Sequence, residues 1–378
     1  MLILVGALGC TLDNPGFDPS GGSGGGTIGM SASASSRGPT DSGGGSASET
    51  GGTTAGETTH TTVGATGTSG TSGASWTSGT SGTSGTSGTS GTTGATGTTG
   101  ENTSGGVEGP TLCGISSDLW KFSEPSALDV VNTEQYEADP VLSADGLILY
   151  FAREGDIMRS SRGGAEQPFG SPKLAEELGI NSGTSSESKI SFSADSLVIY
   201  LSSDRDGGVD GSVDIWRASR ADVNSPFGET LLVQNVSGAG NDYDPHISTD
   251  GLRLYHAPGE GGGQNVVVST RELGDKLFAA PVALAVINSD GTDADPALSA
   301  DELVIVFSST RTGVRELYMS TRSSIDEPFS EPEALEAINS PKTDGDPFLA
   351  ETPLGCELFF TSTRDSDKHD IYKVEITQ

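Results

Sequence analysis

The sequence is poor in basic residues, cysteine, histidine and long apolar runs. Its 20 Lys and Arg stand against 52 Asp and Glu, giving a formal net charge of −32. A surface this acidic repels phosphate backbones, so nucleic acid is not an expected partner. The three cysteines and four histidines form no zinc-binding spacing, and the chain contains no Walker loop or H-E-x-x-H motif. These absences exclude the enzyme and binding classes that are recognisable from a short linear motif.

Apolar and aromatic residues are scarcest before Pro110, where Gly, Ser and Thr dominate the sequence. Such a segment buries too little apolar surface to offset the backbone entropy lost on folding. The composition therefore predicts a disordered tether over residues 11–110. About 100 residues of Gly/Ser-rich coil have a root-mean-square span on the order of 55 Å.

The chain opens with MLILVGALGC, an apolar run that is too short to cross a bilayer as a helix and ends in small residues before a cysteine. This segment, residues 1–10, resembles the signal and lipobox of bacterial lipoproteins, in which the cysteine is acylated. The resemblance implies that Cys10 is lipidated and that the membrane is contacted only through this anchor. It also implies an outer-membrane or surface lipoprotein, with a periplasmic location as the alternative. The competing interpretation is an uncleaved apolar terminus.

One stretch, DADPALSADELVIVFSSTR from Asp293, recurs with variations along the rest of the chain. Each copy contains a short strand, a Ser-x-Asp turn and a β-branched or aromatic strand. The copies are 50, 55, 51 and 51 residues apart, a period typical of propeller blades. Their equivalent turn positions are Ser143, Ser193, Ser248, Ser299 and Ala350.

A third strand follows every copy, and a fourth follows all but the last. The missing strand has a close match ahead of the first repeat, FSEPSALDVVN from Phe122. We therefore predict an all-β fold over residues 111–378: a five-bladed β-propeller of four-stranded blades, closed by an N-terminal strand. Six blades are the alternative.

The repeated pattern D-P-x-x-S-x-D-G, Y-F-x-S-x-R and D-I-Y resembles the WD-repeat-like propeller repeat of the TolB family, and the resemblance extends over residues 113–378. It implies an exported propeller that binds other macromolecules through its faces. TolB-type propellers usually have six blades and an additional N-terminal domain.

Aspartates open the first strand of four blades, and a lysine takes that place in the second. We expect these residues to ring one mouth of the central channel. Two interpretations stand: a carboxylate ring that binds a cation or acts in glycoside hydrolysis, or structural hydrogen bonding to nearby amides. The residues are Asp139, Lys189, Asp244, Asp295 and Asp346.

Two other sets of residues are candidate sites. His246 and His256 lie in one blade where the repeat has other residue types, which predicts a ligand patch or simple sequence drift. The loop DRDGGVDGSVD resembles the start of a calcium-binding loop but has no bidentate Glu, so calcium and a solvated acidic hairpin are alternatives. Its carboxylates are Asp204, Asp206, Asp210 and Asp214.

The cysteines Cys113 and Cys356 would meet an oxidising compartment in an exported chain. Ring closure brings both to the last blade, so a disulfide is one expectation. The other is that Cys356 replaces a buried Leu and Cys113 remains a free thiol.

The sequence favours a non-catalytic envelope lipoprotein that binds a protein or other macromolecule. The alternative is a carbohydrate-active enzyme or lectin that uses the channel mouth. The partner is expected to be an envelope protein or a glycan, and no cofactor is expected other than the calcium considered above.

Overall fold

A computed structural model describes residues 110–260, 263–274 and 276–378 of the chain. The predicted signal segment, the predicted tether up to residue 109 and the lipidation candidate Cys10 lie outside the described residues. The described part begins with four two-residue strands and a 3-10 turn (Ser117–Leu119): β1 (Thr111–Leu112), β2 (Ile115–Ser116), β3 (Lys121–Phe122) and β4 (Ser126–Ala127).

The remaining strands form five antiparallel sheets, in which the first strand is innermost and the fourth has only two residues. Blade 1 contains β5 (Glu137–Leu142), β6 (Ile148–Arg153), β7 (Asp156–Ser161) and β8 (Lys173–Leu174). Blade 2 follows a 3-10 turn (Glu176–Leu178) and contains β9 (Glu187–Phe192), β10 (Val198–Ser203), β11 (Asp214–Ser219) and β12 (Leu231–Leu232).

The later blades repeat this order, and the first two strands are longer in blades 3 and 5. Blade 3 contains β13 (Asn241–Ile247), β14 (Arg253–Glu260), β15 (Gly263–Gln264), β16 (Val267–Thr270) and β17 (Val282–Ala283). Blade 4 contains β18 (Asp293–Leu298), β19 (Val304–Ser309), β20 (Glu316–Thr321) and β21 (Glu333–Ala334). Blade 5 contains β22 (Asp344–Thr352), β23 (Gly355–Ser362) and β24 (Asp370–Thr377). Each first strand neighbours the first strands of the two adjacent blades, so the five close into a ring.

The ring is closed by the N-terminal strand, as the sequence predicts. Strand β4 pairs with β24 through Ala127 and Tyr372, and β3 pairs with the end of β24 through Phe122 and Ile376. The closing segment is broken into two short strands around Pro125, which has no N–H to donate to a strand ladder. The structure therefore confirms the five-bladed arrangement of four-stranded blades.

The recurring Ser-x-Asp motif builds the turn between the first and second strands. In blade 1, Ser143 Oγ donates to Asp145 Oδ1 at 2.6 Å, and Asp145 Oδ1 also accepts the Leu147 N–H at 3.0 Å. The same pair of bonds recurs in blades 2, 3 and 4. We call the side of the propeller that carries these turns the back face. The front face carries the loops between second and third strands and the loops that lead into each first strand.

The core lies between neighbouring blades. In one cluster, Tyr150 of blade 1 packs with Ile199 and Trp216 of blade 2, and equivalent clusters fill the other junctions. Each fully buried large side chain contributes about 1.5–3 kcal/mol.

The N-terminal segment is fastened to blade 5 on the back face. Cys113 forms a disulfide with Cys356, with Cα atoms 5.9 Å apart, and Leu112 is fully buried in the core of blades 4 and 5. The Cys113 N–H also donates to Glu351 Oε2 at 3.0 Å, beside the β22–β23 turn. Of the two expectations for these cysteines, the structure contains the disulfide.

Candidate functional site

The first strands of the five blades share one irregularity near their front ends. In each, the pairing with the second strand shifts register around the candidate ring position. Four of these positions have positive φ, between 49° and 60°, in the left-handed region that Asp tolerates better than most residues. The four are Asp139, Asp244, Asp295 and Asp346, and Lys189 occupies the equivalent place in blade 2.

The carboxylates of the ring join consecutive blades. Each of three aspartates accepts the backbone N–H of the equivalent residue in the next blade, at 3.2–3.3 Å. Blade 2 interrupts the series, because the Asp244 N–H donates to Ser202 Oγ instead. The acceptor–donor pairs are Asp139 with Lys189, Asp244 with Asp295, and Asp295 with Asp346. The recurrence of Asp therefore has a structural reason, whatever else the ring does.

A second set of residues at the front end breaks the symmetry of the repeat. The residue just before the recurring third-strand pattern (DIMRSSR in blade 1, NVVVSTR in blade 3) differs in every blade, and it is polar only in blades 3, 4 and 5. The five are Gly155, Val213, Gln264, Arg315 and His369. Gln264 and His369 are only 5% and 6% exposed. Sequence reasoning missed these residues, although the change of residue type at one repeat position was a signal that could have found them.

Arg315 is the most strongly bound member of this set. Its Nη2 donates to Asp295 Oδ2 at 2.6 Å, and its Nε donates to Ser308 Oγ at 2.9 Å. The guanidinium packs against Gly345, where an added Cβ would lie 3.2 Å from Nε. Because the other blades have a larger residue at the Gly345 position, blade 5 alone leaves room for this side chain.

The electrostatic environment differs sharply between equivalent aspartates. Burial raises the pKa of Asp139 to about 7, and repulsion from Asp346 and Asp295 adds to the rise while Lys189 opposes it. Burial, followed by the charges of Asp295 and Asp139, also raises the pKa of Asp244 well above its usual range. At Asp295 burial acts in the same direction, but Arg315 and Lys189 outweigh it and hold the pKa at about 2. Asp139 is the one ring position that keeps appreciable exposure.

Lys189 lies within this carboxylate ring and is 3% exposed. Its Nζ donates to the Pro347 carbonyl of blade 5 at 3.2 Å. Two cations, Lys189 and Arg315, therefore share the front end of the channel with the four ring carboxylates.

The acidic loop of blade 2 does not assemble its carboxylates around one point. Asp204 Oδ1 accepts the Ser186 N–H, and Asp214 Oδ2 accepts the Val209 N–H, both at 2.7 Å. Within residues 110–260, 263–274 and 276–378, no three His, Cys, Asp or Glu side chains are arranged to hold a metal ion. Asp206 and Asp210 belong to the same loop, so the structure does not bring the four together as a calcium site.

The two histidines of blade 3 do not form one patch. His246 lies opposite Tyr255 and stacks edge-on against it, with ring centroids 6.4 Å apart. His256 is the next residue after Tyr255, so it points to the other face of the blade. His256 is also fully buried. The prediction of a joint ligand patch is therefore not supported by their placement.

Three arginines that recur at one position of the repeat are internal donors. Arg205, Arg311 and Arg364 each pair with an acid of their own blade, at 2.7–3.0 Å. This acid is the first residue of the first strand and lies two residues before the ring position: Glu187, Asp293 and Asp344.

Some solved structures are similar to this chain at low sequence identity. No protein-family model matches the sequence, and no curated protein matches it significantly. Solved structures that are similar include a putative TolB from Agrobacterium tumefaciens, with 19% identity, coverage of 64% of this chain and 77% of that one, and a TM-score of 0.41. An α-L-arabinofuranosidase from Podospora anserina has 11% identity, and the match covers 68% of this chain and 96% of that one with a TM-score of 0.47. A thermostable family-43 glycoside hydrolase has 13% identity, and the match covers 65% of this chain and 90% of that one with a TM-score of 0.43.

Proposed function

We propose that this chain is a non-catalytic binding module of the bacterial cell envelope. In this proposal Cys10 carries a lipid anchor, residues 11–110 form a tether, and the propeller presents its front face to a protein or other macromolecule. Kinship with the TolB family is part of the proposal and rests on the repeat pattern. The anchored form is an outer-membrane or surface lipoprotein, with the periplasm as the alternative location. No helix in the described part of the chain is long and apolar enough to cross a membrane.

The observation that carries the proposal is the difference between the two faces. The back face carries the same Ser-x-Asp turn in four blades, and it carries the N-terminal segment that the disulfide joins to blade 5. On the front face, two side chains that break the repeat lie close to the ring carboxylates: Arg315 donates to Asp295, and the charges of Asp346 and Asp295 act on His369. Positions needed only for folding recur in a repeat, so the varied positions favour the front face as the interaction surface.

A binding role is also supported by how the carboxylates are used. Asp139, Asp244 and Asp295 accept backbone N–H groups from neighbouring blades, and Asp346 Oδ2 accepts the Thr361 hydroxyl at 2.8 Å. Groups committed to holding blades together are poorly placed to exchange protons with a substrate.

Affinity capture tests the proposal. The full chain serves as bait for envelope proteins and for a glycan array, beside an Arg315→Ala variant of the front face. Asp326→Asn, an exposed back-face substitution, is the matched control. We expect one dominant partner that the wild type and Asp326→Asn retain and Arg315→Ala loses. Equal retention by all three proteins would remove the front face from the proposal, and no specific capture would reject the binding role.

A second function is favoured by one observation. Asp139 and Asp295 lie in the same ring, and their pKa values are displaced in opposite directions, to about 7 and about 2. Carboxyl pairs displaced in this way act as acid and base in glycoside hydrolysis. Hydrolysis of aryl glycosides and plant or bacterial polysaccharides by the wild type, lost in Asp139→Asn, would support an enzyme. Absence of hydrolysis together with glycan capture would support a lectin.

A further inference from the structure

One residue of the front face departs from the repeat in a way that folding does not require. The residue just before the buried acid of each first strand is a tyrosine in blade 1 and a small or polar residue in the other blades. Tyr136 is 47% exposed, and it is the one exposed Phe, Tyr or Trp among the residues that the structure describes. Because the equivalent positions fold without an aromatic ring, the ring of Tyr136 is free to serve another purpose. The equivalent residues are Ser186, Asn241, Thr292 and Thr343.

The exposed ring is held in place beside the channel mouth. Thr133 Oγ1 donates to Glu137 Oε1 at 2.7 Å, and the Gln135 N–H donates to Thr133 Oγ1 at 3.1 Å. The Glu137 N–H donates to the His369 carbonyl at 3.0 Å. The Tyr136 ring meets the ring of His369 edge-on, with centroids 6.0 Å apart. Both ends of the short segment that carries the tyrosine are therefore fixed before any ligand arrives, which lowers the entropy cost of binding.

The front face has its shortest connection in blade 1. Only residues 154–155 join the second strand to the third there, whereas residues 204–213 join them in blade 2 and residues 363–369 in blade 5. In keeping with this, Asp139 of blade 1 is the ring position that keeps appreciable exposure. The Cα atoms of Tyr136 and Asp139 are at most about 11 Å apart, because three residues span no more. An aromatic ring and a carboxyl group thus share one solvent-accessible part of the front face, which we call the blade 1 recess.

Asp139 has one oxygen atom that the fold does not use. Its Oδ2 accepts the Lys189 N–H at 3.2 Å, whereas its Oδ1 accepts no hydrogen bond within the described part of the chain. The neighbouring exposed acid Glu134 is already paired with Lys368, at 2.8 Å. Asp139 Oδ1 is therefore an acceptor that a ligand in the recess can reach.

The blade 2 side of the recess is polar and uncharged. The Glu187 N–H donates to the Gly155 carbonyl at 2.8 Å, so the loop that leads into blade 2 lies against the blade 1 turn. Residues 182–186 of this loop are Ser, Gly, Thr, Ser and Ser. Hydroxyl groups both donate and accept hydrogen bonds without requiring an opposite charge. This edge suits a ligand that is rich in hydroxyl groups.

A sugar ring has the chemistry that these groups match. Its C–H groups carry a partial positive charge and pack against the negative face of an aromatic ring. Its hydroxyl groups donate to a carboxylate and exchange hydrogen bonds with other hydroxyls. A cationic side chain would also stack on a tyrosine, but it would find no charge on the blade 2 side of the recess in residues 182–186.

We propose that Tyr136 and Asp139 form a subsite for one sugar ring of a neutral glycan. Tyr136 is the stacking platform, and Asp139 Oδ1 accepts a hydroxyl group of the same ring or of the next one. The inference rests on the proposed function, because it takes the front face as the interaction surface, and it commits that face to a glycan.

An array of neutral cello-, xylo-, manno- and chito-oligosaccharides tests the subsite with the full chain at pH 8. Tyr136→Ser copies the residue of blade 2 and should keep the wild-type melting temperature, whereas Tyr136→Phe keeps the aromatic ring. We expect the wild type and Tyr136→Phe to bind the same oligosaccharide with affinities within about twofold, and Tyr136→Ser to bind it at least about tenfold more weakly. Asp139→Asn should bind about fivefold more weakly, since a hydroxyl bonds less strongly to an amide oxygen than to a carboxylate.

Val314→Ser is the matched control, because Val314 is an exposed apolar residue of another front loop, at 41% exposure. It should bind the oligosaccharide as the wild type does. Binding should also be nearly independent of salt between about 0.05 and 0.5 M, since no charge pair is involved. Poly-lysine serves as the competing probe: salt-sensitive binding of poly-lysine that Tyr136→Ser loses would overturn the inference in favour of a basic protein partner.

Two other results would also overturn the inference: no oligosaccharide bound by the wild type, or equal binding by Tyr136→Ser. The proposed function is judged separately by affinity capture. A captured envelope protein that Arg315→Ala loses, without any glycan binding, would leave the binding role standing and remove only the sugar subsite. Absence of both would reject the two together.

Discussion

At the scale of single residues, equivalent positions in the repeat have acquired opposite electrostatic properties. Asp139 and Asp295 adopt the same positive φ and each accepts the N–H of the next blade. They differ because Arg315 reaches Asp295, through the space left at Gly345, and no arginine reaches Asp139. One asymmetric side chain therefore decides which carboxylate of the ring is easily protonated.

This difference predicts opposite pH effects for two matched substitutions. A raised pKa means that the native state binds the proton of Asp139 more tightly than the unfolded state, so its contribution to stability is lost as pH rises from about 4 to 7. The lowered pKa of Asp295 means that its contribution is present above about 4 and is lost as pH falls towards 2.

Asp139→Asn should therefore gain stability relative to the wild type as pH rises from 4.5 to 8. Asp295→Asn should be destabilised throughout that range, by about 3–5 kcal/mol if Arg315 is left unpaired. Urea midpoints measured across this range give both results, and Asn keeps the backbone preference and the acceptor oxygen at each site. Parallel pH profiles for the two variants would contradict the assignment.

At the scale of elements, the closing segment is short and divided. Only two pairs of residues join β4 to β24, and two more join β3 to it. Additional contacts come from Ser123, whose N–H donates to Glu375 O at 3.0 Å, and from Asn132, whose side chain exchanges two hydrogen bonds with Ile371. Closure therefore depends on several weak contacts and one covalent bond.

Removal of the chain through Asn132 should strip the last blade of its outer strand. The exposed edge of β24 would then be free to pair with other chains. We expect a large fall in melting temperature and aggregation, measured by differential scanning calorimetry and light scattering. A truncated protein that melts like the intact one would show that the N-terminal strand does not close the ring.

Loss of the disulfide should have a separate effect on stability. The bond spans 243 residues, and the chain-entropy model gives an upper value of about 4–5 kcal/mol for so long a loop. Cys113→Ser tests this value without altering the core, because Cys113 is exposed whereas Cys356 is buried. The reduced wild type should unfold at the same urea concentration as Cys113→Ser. In a Cys10→Ala chain, two titratable thiols in the unreduced, unfolded state would rule the bond out.

At the scale of the whole molecule, the acidic propeller and the Gly/Ser/Thr-rich N-terminal part are distinct in composition. The N-terminal segment of the described chain lies on the back face, where Cys113 is bonded to Cys356 of blade 5. The described segment that precedes the first blade is therefore fastened on the face opposite the proposed interaction surface.

The lipid anchor can be tested directly. Metabolic labelling with a fatty-acid analogue should mark the wild type in a bacterial host and should not mark Cys10→Ala. The variant should also move from the membrane fraction to the soluble fraction, since the resemblance to a lipobox offers no other membrane attachment. Equal labelling of the two proteins would reject the anchor.

The repeat in the sequence was sufficient to predict the five blades, the order of their strands and the displaced strand at Phe122. This was possible because each blade needs the same local elements, a turn between two segments of high β propensity. The sequence therefore contains five similar copies of one pattern, with the Ser-x-Asp turn in four of them. The recurrence of Asp at the ring also offered internal hydrogen bonding as one of two interpretations, for the same reason.

Only the tertiary structure decided how residues from different blades combine. Arg315 reaches Asp295 of its own blade because Gly345 of blade 5 leaves space for it, and no local pattern relates these three positions. Sequence left the disulfide undecided, since its two cysteines are brought together only when the ring closes. His246 and His256 were grouped by their proximity in the sequence, but they belong to opposite faces of one blade. The alternation of side chains along a strand determines which face of the blade each residue occupies. The residues that it contacts on that face depend on how the neighbouring blade packs.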